Sequence, residues 1–180
     1  MNELITSSRC PTRKDIMKTK CRIVFDYWDK LRTDRFAPCW QDFDLLRLPL
    51  DAIPFVSVVD IILDDLDARY RFWGTGLTQK YKIDMTGKLL SDLKSSRVNE
   101  IKSEFRHVMT TGAPFFYMTD AVTFQEVEPW VKPGAQFIPS VKVPLSDNGE
   151  TVTNILSFND YSISVETSVE FYERSTSFAS

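Results

Sequence analysis

The chain has 180 residues, of which 43% are hydrophobic, and this is enough apolar material for the core of one domain. Its formal net charge of −3 gives no basic field that could hold nucleic acid. No apolar run approaches the length of a membrane span, and residues 1–8 lack the apolar core of a signal peptide. We therefore expect a cytoplasmic protein that binds neither nucleic acid nor a membrane.

The cysteines do not suggest a disulfide framework or a metal site. Cys10, Cys21 and Cys39 are an odd set without the Cys-x-x-Cys spacing that zinc sites use. We expect reduced thiols and no bound metal.

The N-terminal part is predicted to be a mobile tail over residues 1–13 and a helix over residues 14–32. One apolar stripe follows three- and four-residue steps through Met17, Cys21, Val24, Trp28 and Leu31. A second apolar row runs beside it through Ile16, Ile23 and Tyr27. Either both rows belong to the core, or one row covers the sheet and the other faces a partner.

The segment 33–54 contains three prolines and is predicted to form short helical turns. Its apolar side chains are expected to fasten it to the domain; they are Phe43, Leu45, Leu46 and Leu48.

A β-hairpin is predicted from an apolar run at 55–63 and an alternating stretch at 68–75, joined by an acidic turn at 64–67. With that turn, paired residues have numbers that sum to 131, so Asp60 faces Arg71. We expect a structural ion pair between them, because it would satisfy a carboxylate that interrupts an apolar strand. In the alternative, Arg71 anchors a ligand carboxylate.

After the hairpin, Gly74 and Gly76 permit a sharp passage into a short helix at 76–83. The clearest helix covers 97–111, because Gly112 suits a left-handed C-terminal cap and Pro114 prevents continuation. Its expected buried face consists of Val98, Ile101, Phe105, Val108 and Met109.

Three strands are predicted at 115–124, 136–145 and 151–159, with a loop at 125–134 and a tight turn at 146–149. Two strands, helices and three further strands indicate an α+β domain over residues 14–162. The domain would contain a five-stranded antiparallel sheet with helices packed on one face. The N-terminal helix would be a further element of the domain. Residues 163–180 are expected to be a peripheral tail.

Four motifs in this order resemble a family of stand-alone bacterial PAS-type domains. They are Asp60, then Arg69-Tyr-Arg-Phe-Trp-Gly-Thr75, then Asp84-Met-Thr-Gly87, and last Val143-Pro-Leu-Ser-Asp-Asn-Gly149. In that family an R-x-x-G-T strand end precedes a D-x-T-G turn, and a PL-x-x-x-G hairpin comes later. The resemblance covers residues 24–161 and implies a PAS-like fold with a sensory or regulatory role in signalling. For most members it implies no known ligand.

The resemblance raises the question of haem and flavin, and we expect neither cofactor. Haem-binding PAS domains commonly place the iron ligand on the long helix, where His107 is the single histidine of this chain. At about 100° per residue, His107 lies roughly 150° from the apolar stripe and shares a solvated face with Glu100, Ser103 and Glu104. The Asn-Cys-Arg motif of flavin-adduct PAS domains is absent.

Aromatic and apolar side chains near the predicted inner surfaces could line an apolar pocket for a small molecule. The candidates are Tyr70, Phe72, Tyr81, Phe105, Met109, Tyr117, Val141 and Val143. The alternative is that these side chains simply fill the core.

Taken together, the sequence favours a non-catalytic PAS-like sensory or protein-interaction domain that binds a partner protein, with a small molecule as a further ligand. No kinase, cyclase or DNA-binding segment is expected in the remaining residues. One alternative is a small-molecule carrier or sensor with an apolar pocket. A divergent enzyme is least favoured, because no nucleophile–base spacing is present.

A homodimer is expected through the N-terminal helix, since its two apolar rows exceed what one helix usually hides against a sheet. The resemblance agrees, because PAS domains often associate through a helix that precedes the first strand. The expected dimer face consists of Met17, Val24, Tyr27 and Trp28.

Overall fold

The computed structural model describes residues 18–63, 67–120 and 137–162. Five strands form one antiparallel sheet in the order β2-β1-β5-β4-β3. The strands are β1 (Val56–Ile62), β2 (Asp67–Trp73), β3 (Phe115–Asp120), β4 (Phe137–Leu145) and β5 (Asn154–Asn159). The α-helices of these ranges are α1 (Cys21–Arg32), α2 (Thr75–Tyr81) and α3 (Val98–Thr111). The predicted α+β class with a five-stranded antiparallel sheet is confirmed.

Several predicted features lie outside the described residues. They are the tail at 1–13, the first helix residues at 14–17, the centre of the acidic turn at 64–66, the strand end and loop at 121–134, and the tail at 163–180.

Both faces of the sheet are covered. On one side α1 and the proline-containing segment bury Val56, Val58, Val141, Val143, Leu145, Leu156 and Phe158, and we call this side the α1 face. On the other side α2 and α3 bury Val59, Ala68, Tyr70 and Ile155, and we call it the α3 face. The side chains of adjacent strand residues point to opposite faces, so one strand contributes side chains to the cores on both sides of the sheet.

Helix α1 begins at Cys21, and the prediction that the helix already covers residue 18 is wrong. The backbone N–H of Lys20 donates to Asp160 Oδ2 at 2.9 Å, and that of Cys21 donates to Thr19 Oγ1 at 3.2 Å. The first bond ties the helix start to the segment that follows β5, and the second is local. Residues 18–20 form a turn instead of a helix.

The hairpin contains a β-bulge that the sequence does not predict. Val58 pairs with Phe72 and Val59 with Tyr70, so Arg71 is the extra residue in β2. Asp60 therefore lies opposite Arg69, and the predicted register, with Asp60 directly facing Arg71, is wrong. The bulge also turns Phe72 towards the α1 face, while Tyr70 stays on the α3 face.

Glycines 74 and 76 are required by close packing. A side chain at Gly74 would collide with the carbonyl of Pro54, and one at Gly76 would lie 2.5 Å from the ring of Phe55. Gly74 has φ −62°, which any residue can adopt, so the close approach is the reason for glycine there. At the end of α3, Gly112 has φ 61° and forms the predicted left-handed cap.

The proline-containing segment forms short 3₁₀ turns, as predicted, at Trp40–Asp42, Leu45–Arg47 and Ile53–Phe55. Phe43 and Leu48 are buried, and Leu45 packs against the same core. Leu46 is 75% exposed, so its predicted packing role is wrong. A three-residue turn presents neighbouring side chains in different directions, and the core receives Leu45 rather than Leu46.

The Asp84–Gly87 turn docks on the outer edge of β2. The N–H of Gly87 donates to Tyr70 O at 2.7 Å, and the N–H of Tyr70 donates to Lys88 O at 2.9 Å. Met85 is buried on the α3 face, which fixes the turn to the sheet. Among the helices that the structure describes, none is long and apolar enough to cross a membrane.

Candidate functional site: a buried polar cluster beneath α3

The eight residues predicted to line one pocket lie on two faces of the sheet. Tyr70, Tyr81, Phe105, Met109 and Tyr117 belong to the α3 face. Phe72, Val141 and Val143 belong to the α1 face. The bulge at Arg71 separates Phe72 from Tyr70, and the strand alternation of β4 sends both valines away from α3. The prediction of a single pocket from these eight residues is therefore wrong.

A lysine lies at the centre of the α3 face. Lys142, in the middle of β4, is 4% exposed. Its Nζ donates to Tyr117 Oη at 3.0 Å and to Ser157 Oγ at 3.4 Å, and lies 3.1 Å from Glu104 Oε2. A buried ammonium is stable when it is paired and hydrogen-bonded, and Lys142 has both kinds of contact.

Glu104 supplies the negative charge from α3. It is 7% exposed, and its Oε1 lies 3.6 Å from Nη2 of Arg97, whose Nε donates to Glu100 at 2.9 Å. The placement of Glu104 on the solvated face with His107 is therefore wrong. Glu104 precedes buried Val108 by one helical turn, so it borders the apolar stripe. His107 is exposed, with its ring 4.7 Å from that of Phe115.

Further hydrogen bonds continue the network across the sheet. Ser140 Oγ and Tyr117 Oη both donate to Asn159 Oδ1, at 2.8 Å and 3.3 Å. We call the whole set the Lys142 cluster; its members are Arg97, Glu104, Tyr117, Ser140, Lys142, Ser157 and Asn159. The cluster joins α3 to strands β3, β4 and β5.

The protonation states follow from these contacts. Burial disfavours the charged form of Lys142, but Tyr117 and Glu104 outweigh it and raise the pKa of the ammonium above its usual value. Burial, reinforced by Glu104, raises the pKa of Tyr117. At neutral pH the cluster thus holds a charged lysine and a neutral phenol. An amine nucleophile requires a lowered pKa, so Lys142 is not activated for covalent chemistry.

Sequence reasoning missed this cluster because Ser140 and Lys142 alternate with valines, a pattern typical of a strand with one solvated face. In the structure α3 covers the face of β4 that carries Ser140 and Lys142. Lys142 lies opposite Ser157 in the paired strand β5, and Ser140 lies opposite Asn159. This matching run of polar residues in two adjacent strands is the signal that could have revealed the cluster.

Nε1 of Trp73 is a buried polar atom on the α3 face without a hydrogen-bond partner in the described part of the chain. Oε2 of Glu104, by contrast, lies 3.1 Å from Lys142 Nζ and is held by the ion pair. An unsatisfied buried polar atom costs about 1–3 kcal/mol, and such atoms commonly contact an ordered water or a ligand.

The Asp60–Arg71 ion pair forms at the margin of the α1 face. Arg71 Nε donates to Asp60 Oδ1 at 2.7 Å, and Asn154 Nδ2 donates to the same oxygen at 2.5 Å. The two charged side chains are 41% and 34% exposed, so water screens the pair. Their contact is diagonal, because the bulge displaces Arg71 from the position opposite Asp60.

The predicted dimer face is largely part of the intramolecular core. Val24 and Trp28 are buried against the sheet, and Trp28 Nε1 donates to Pro144 O at 2.7 Å. Tyr27 packs edge-on against Phe43 in the proline-containing segment. Val24 and Trp28 therefore belong to the core of one chain, which corrects the predicted face, while Tyr27 is half-buried. Met17 lies outside the described residues. Ile23, 44% exposed, is the large apolar residue that α1 leaves at the surface.

An open groove of about 550 Å³ lies between α1 and the start of β3. Its apolar lining consists of Phe25, Trp28, Phe36, Pro114 and Phe116. Arg32 lies over the ring of Trp28 at 5.4 Å and bonds to Asp29 at the rim.

The remaining candidate chemistry concerns thiols and metal ligands. Cys21 and Cys39 are free cysteines, and burial raises the pKa of Cys21 to about 12. Cys39 Sγ donates to Asp147 Oδ1 at 3.0 Å. The described ranges contain no group of three or more histidine, cysteine or acidic residues arranged to hold a metal ion.

Comparison with known proteins adds no identification. No protein-family model matches the sequence, and no curated protein matches it.

Proposed function

We propose that the chain is a non-catalytic PAS-like sensory or protein-interaction domain that acts in signalling or regulation. Its order of two strands, helices and three strands in one antiparallel sheet is compatible with a PAS-like fold. The ordered motifs from Asp60 to Gly149 support the same family. In this proposal the domain is cytoplasmic and uses neither haem nor flavin.

The Lys142 cluster is the observation that carries this proposal. It connects one helix to three strands through a charged lysine, so a ligand or partner that changes one contact alters how α3 lies on the sheet. A core that served stability alone would need no such cluster, because well-packed apolar residues are often as stabilising as a buried ion pair.

A small molecule is the second part of the proposal. Within the described residues the buried N–H of Trp73 has no acceptor, and it lies on the face that carries the cluster. A ligand bound there would have to supply an acceptor. Because Lys142 is paired with Glu104 and Arg97 with Glu100, an uncharged molecule with polar groups fits better than an ion.

Native mass spectrometry of freshly purified protein tests this function. A retained small molecule at one per chain supports the sensor role. A ligand-free chain that binds a partner protein supports the interaction role. The matched pair of variants is Glu104→Leu/Lys142→Met and Asp60→Asn. The double variant Glu104→Leu/Lys142→Met should abolish ligand retention. Asp60→Asn should not, because Asp60 lies on the α1 face.

An absorption spectrum of the same sample checks the cofactor part of the proposal. A haem Soret band or a flavin band at one cofactor per chain would contradict it. A chain that folds normally but binds neither a small molecule nor a protein would contradict the function as a whole.

A further inference from the structure

The two outer edges of the sheet differ. At β2, the segment that follows the Asp84–Gly87 turn covers part of the edge, with hydrogen bonds from Gly87 N to Tyr70 O and from Tyr70 N to Lys88 O. At β3, the described residues provide strand pairing on one side alone, to β4. An uncovered edge presents backbone donors and acceptors that another strand can pair with.

The register shows which backbone groups of β3 point outward. The N–H of Asp160 donates to Pro139 O at 2.8 Å, so Pro139 directs its carbonyl towards the β5 side of β4. Met118 lies opposite Pro139, so these two residues form a non-hydrogen-bonded pair of the ladder. In an antiparallel ladder the pattern alternates, so Tyr117 bonds to β4 while Phe116 and Met118 direct their N–H and C=O groups away from it.

The centre of strand β3 lacks the features that usually protect an edge. Residues 115–119 read Phe-Phe-Tyr-Met-Thr, with no charged residue and no proline, while Pro114 precedes the strand and Asp120 ends it. Natural edge strands commonly carry lysine, proline or a bulge that discourages pairing. Aromatic and β-branched residues instead favour strand pairing. This composition favours pairing of the β3 edge with another strand.

We propose that β3 pairs antiparallel with β3 of a second copy of this chain, joining the two sheets edge to edge. A two-fold axis at Tyr117 places Phe116 opposite Met118 of the partner subunit, and both have outward backbone groups. Asp120 then lies opposite Pro114 of the partner subunit, so no like charges meet. A second copy is the occupant that this edge favours, because residues 115–119 of β3 are themselves an uncharged, extended segment that can pair with the edge. The contact is isologous and closes as a dimer.

The inference deepens the proposed interaction role by naming a second copy as the partner, and in that sense it rests on the proposed function. It replaces the predicted helical dimer face, since Val24 and Trp28 are buried inside one chain. The dimer can fail to form while the domain still retains a ligand or binds another protein, so native mass spectrometry separates the two proposals.

Light scattering of the full chain at tens of micromolar tests the contact, with Met118→Pro as the variant and Met118→Leu as the matched control. Proline removes an N–H that the ladder within one chain does not use, and an edge position tolerates its ring. The wild type and Met118→Leu should have twice the mass of one chain. Met118→Pro should raise the dimer dissociation constant about 100-fold, because each copy loses one hydrogen bond at the interface.

Hydrogen exchange of the wild-type amides at residues 116 and 118 is the second measurement. It tests the pairing of β3 with a second copy even if Met118→Pro does not fold. We expect both amides to be protected in concentrated samples and to exchange rapidly after dilution. A monomeric wild type, an unchanged Met118→Pro dimer, or protection that is independent of concentration would each overturn the proposal. The last result would mean that a contact within one chain, or another bound molecule, covers the edge.

Discussion

The two faces of the sheet are built from alternate residues of the same strands, and they differ in chemistry. On the α1 face, Val58 and Phe158 pack with apolar residues of α1. On the α3 face, Ser157 and Lys142 lie buried beneath α3 with Glu104. One face thus holds an apolar core, while the other combines an apolar core with a polar network.

The difference separates two physical roles. Apolar burial is non-directional and stabilises in proportion to the area removed from water, so the α1 face holds its layers together without a unique set of contacts. Hydrogen bonds and ion pairs are directional and costly when incomplete, so the Lys142 cluster specifies one position of α3. Stability should therefore be most sensitive on the α1 face, and the position of α3 most sensitive on the α3 face.

The largest effect is expected from Phe158→Ala, in the centre of the α1 face. Loss of a fully buried phenylalanine should lower the free energy of unfolding by about 3–5 kcal/mol, because it leaves a cavity between α1 and the sheet. Urea denaturation measures the change. Leu46→Ala, at an exposed position, is the control and should change stability by less than about 0.5 kcal/mol. Equal losses for both variants would show that the α1 face is not the apolar core.

Lys142→Met should cost about 3 kcal/mol of unfolding free energy, because it removes the nearer cation from the buried carboxylate of Glu104 and leaves Arg97, 3.6 Å away. The double variant Glu104→Leu/Lys142→Met should recover most of that loss, since neither charge remains. Hydrogen exchange in α3 should nevertheless be faster in the double variant than in the wild type. If the double variant lost as much unfolding free energy as Glu104→Leu and Lys142→Met lose together, the two side chains would not be coupled.

A smaller effect is expected at alkaline pH. The pKa values of Tyr117 and Lys142 are raised above their ordinary values of 10.0 and 10.5. A group with a raised folded-state pKa contributes stability that is complete below its unfolded pKa and is lost as the pH rises. The free energy of unfolding should therefore be nearly constant up to about pH 9 and fall above about pH 10.

Thermal unfolding from neutral pH to the alkaline range measures this dependence. Tyr70 and Tyr161, whose pKa values are raised by burial, add to the same decline, and the buried thiol of Cys21, with an ordinary pKa of 9.0, begins it at a lower pH. The informative quantity is therefore the difference between variants. Glu104→Leu/Lys142→Met should show a shallower decline than the wild type. Identical slopes would show that the cluster does not contribute.

The smallest effect concerns the ion pair at the margin of the α1 face. Because both side chains are partly exposed, the coupling energy between Asp60 and Arg71 should be below about 1 kcal/mol in a double-mutant cycle. Asp60→Ala should cost more than Arg71→Ala, by about 1 kcal/mol, because it deprives the buried amide of Asn154 of an acceptor. A larger cost for Arg71→Ala would contradict this account.

The sequence by itself determined the elements whose signals are local. Gly112 and Pro114 ended the long helix where the structure ends it, and the acidic turn at 64–67 located the hairpin within one or two residues. Element type and order followed, and with them the α+β class and the five-stranded antiparallel sheet. Capping, proline geometry and side-chain alternation act over a few residues, which is why one sequence suffices to read them.

The tertiary structure alone decided which side of each strand is covered and by which helix. Alternation in β4 distinguishes Val141 from Lys142, but it cannot reveal that α3 buries the lysine. The bulge at Arg71 likewise follows from fitting two strands together, and it moved Phe72 to the face opposite Tyr70. Glu104 and Lys142 lie 38 positions apart in the sequence, and they meet only because the helix and the sheet pack together. Such contacts depend on the relative placement of whole elements, and that placement is a property of the folded chain rather than of any short stretch of its sequence.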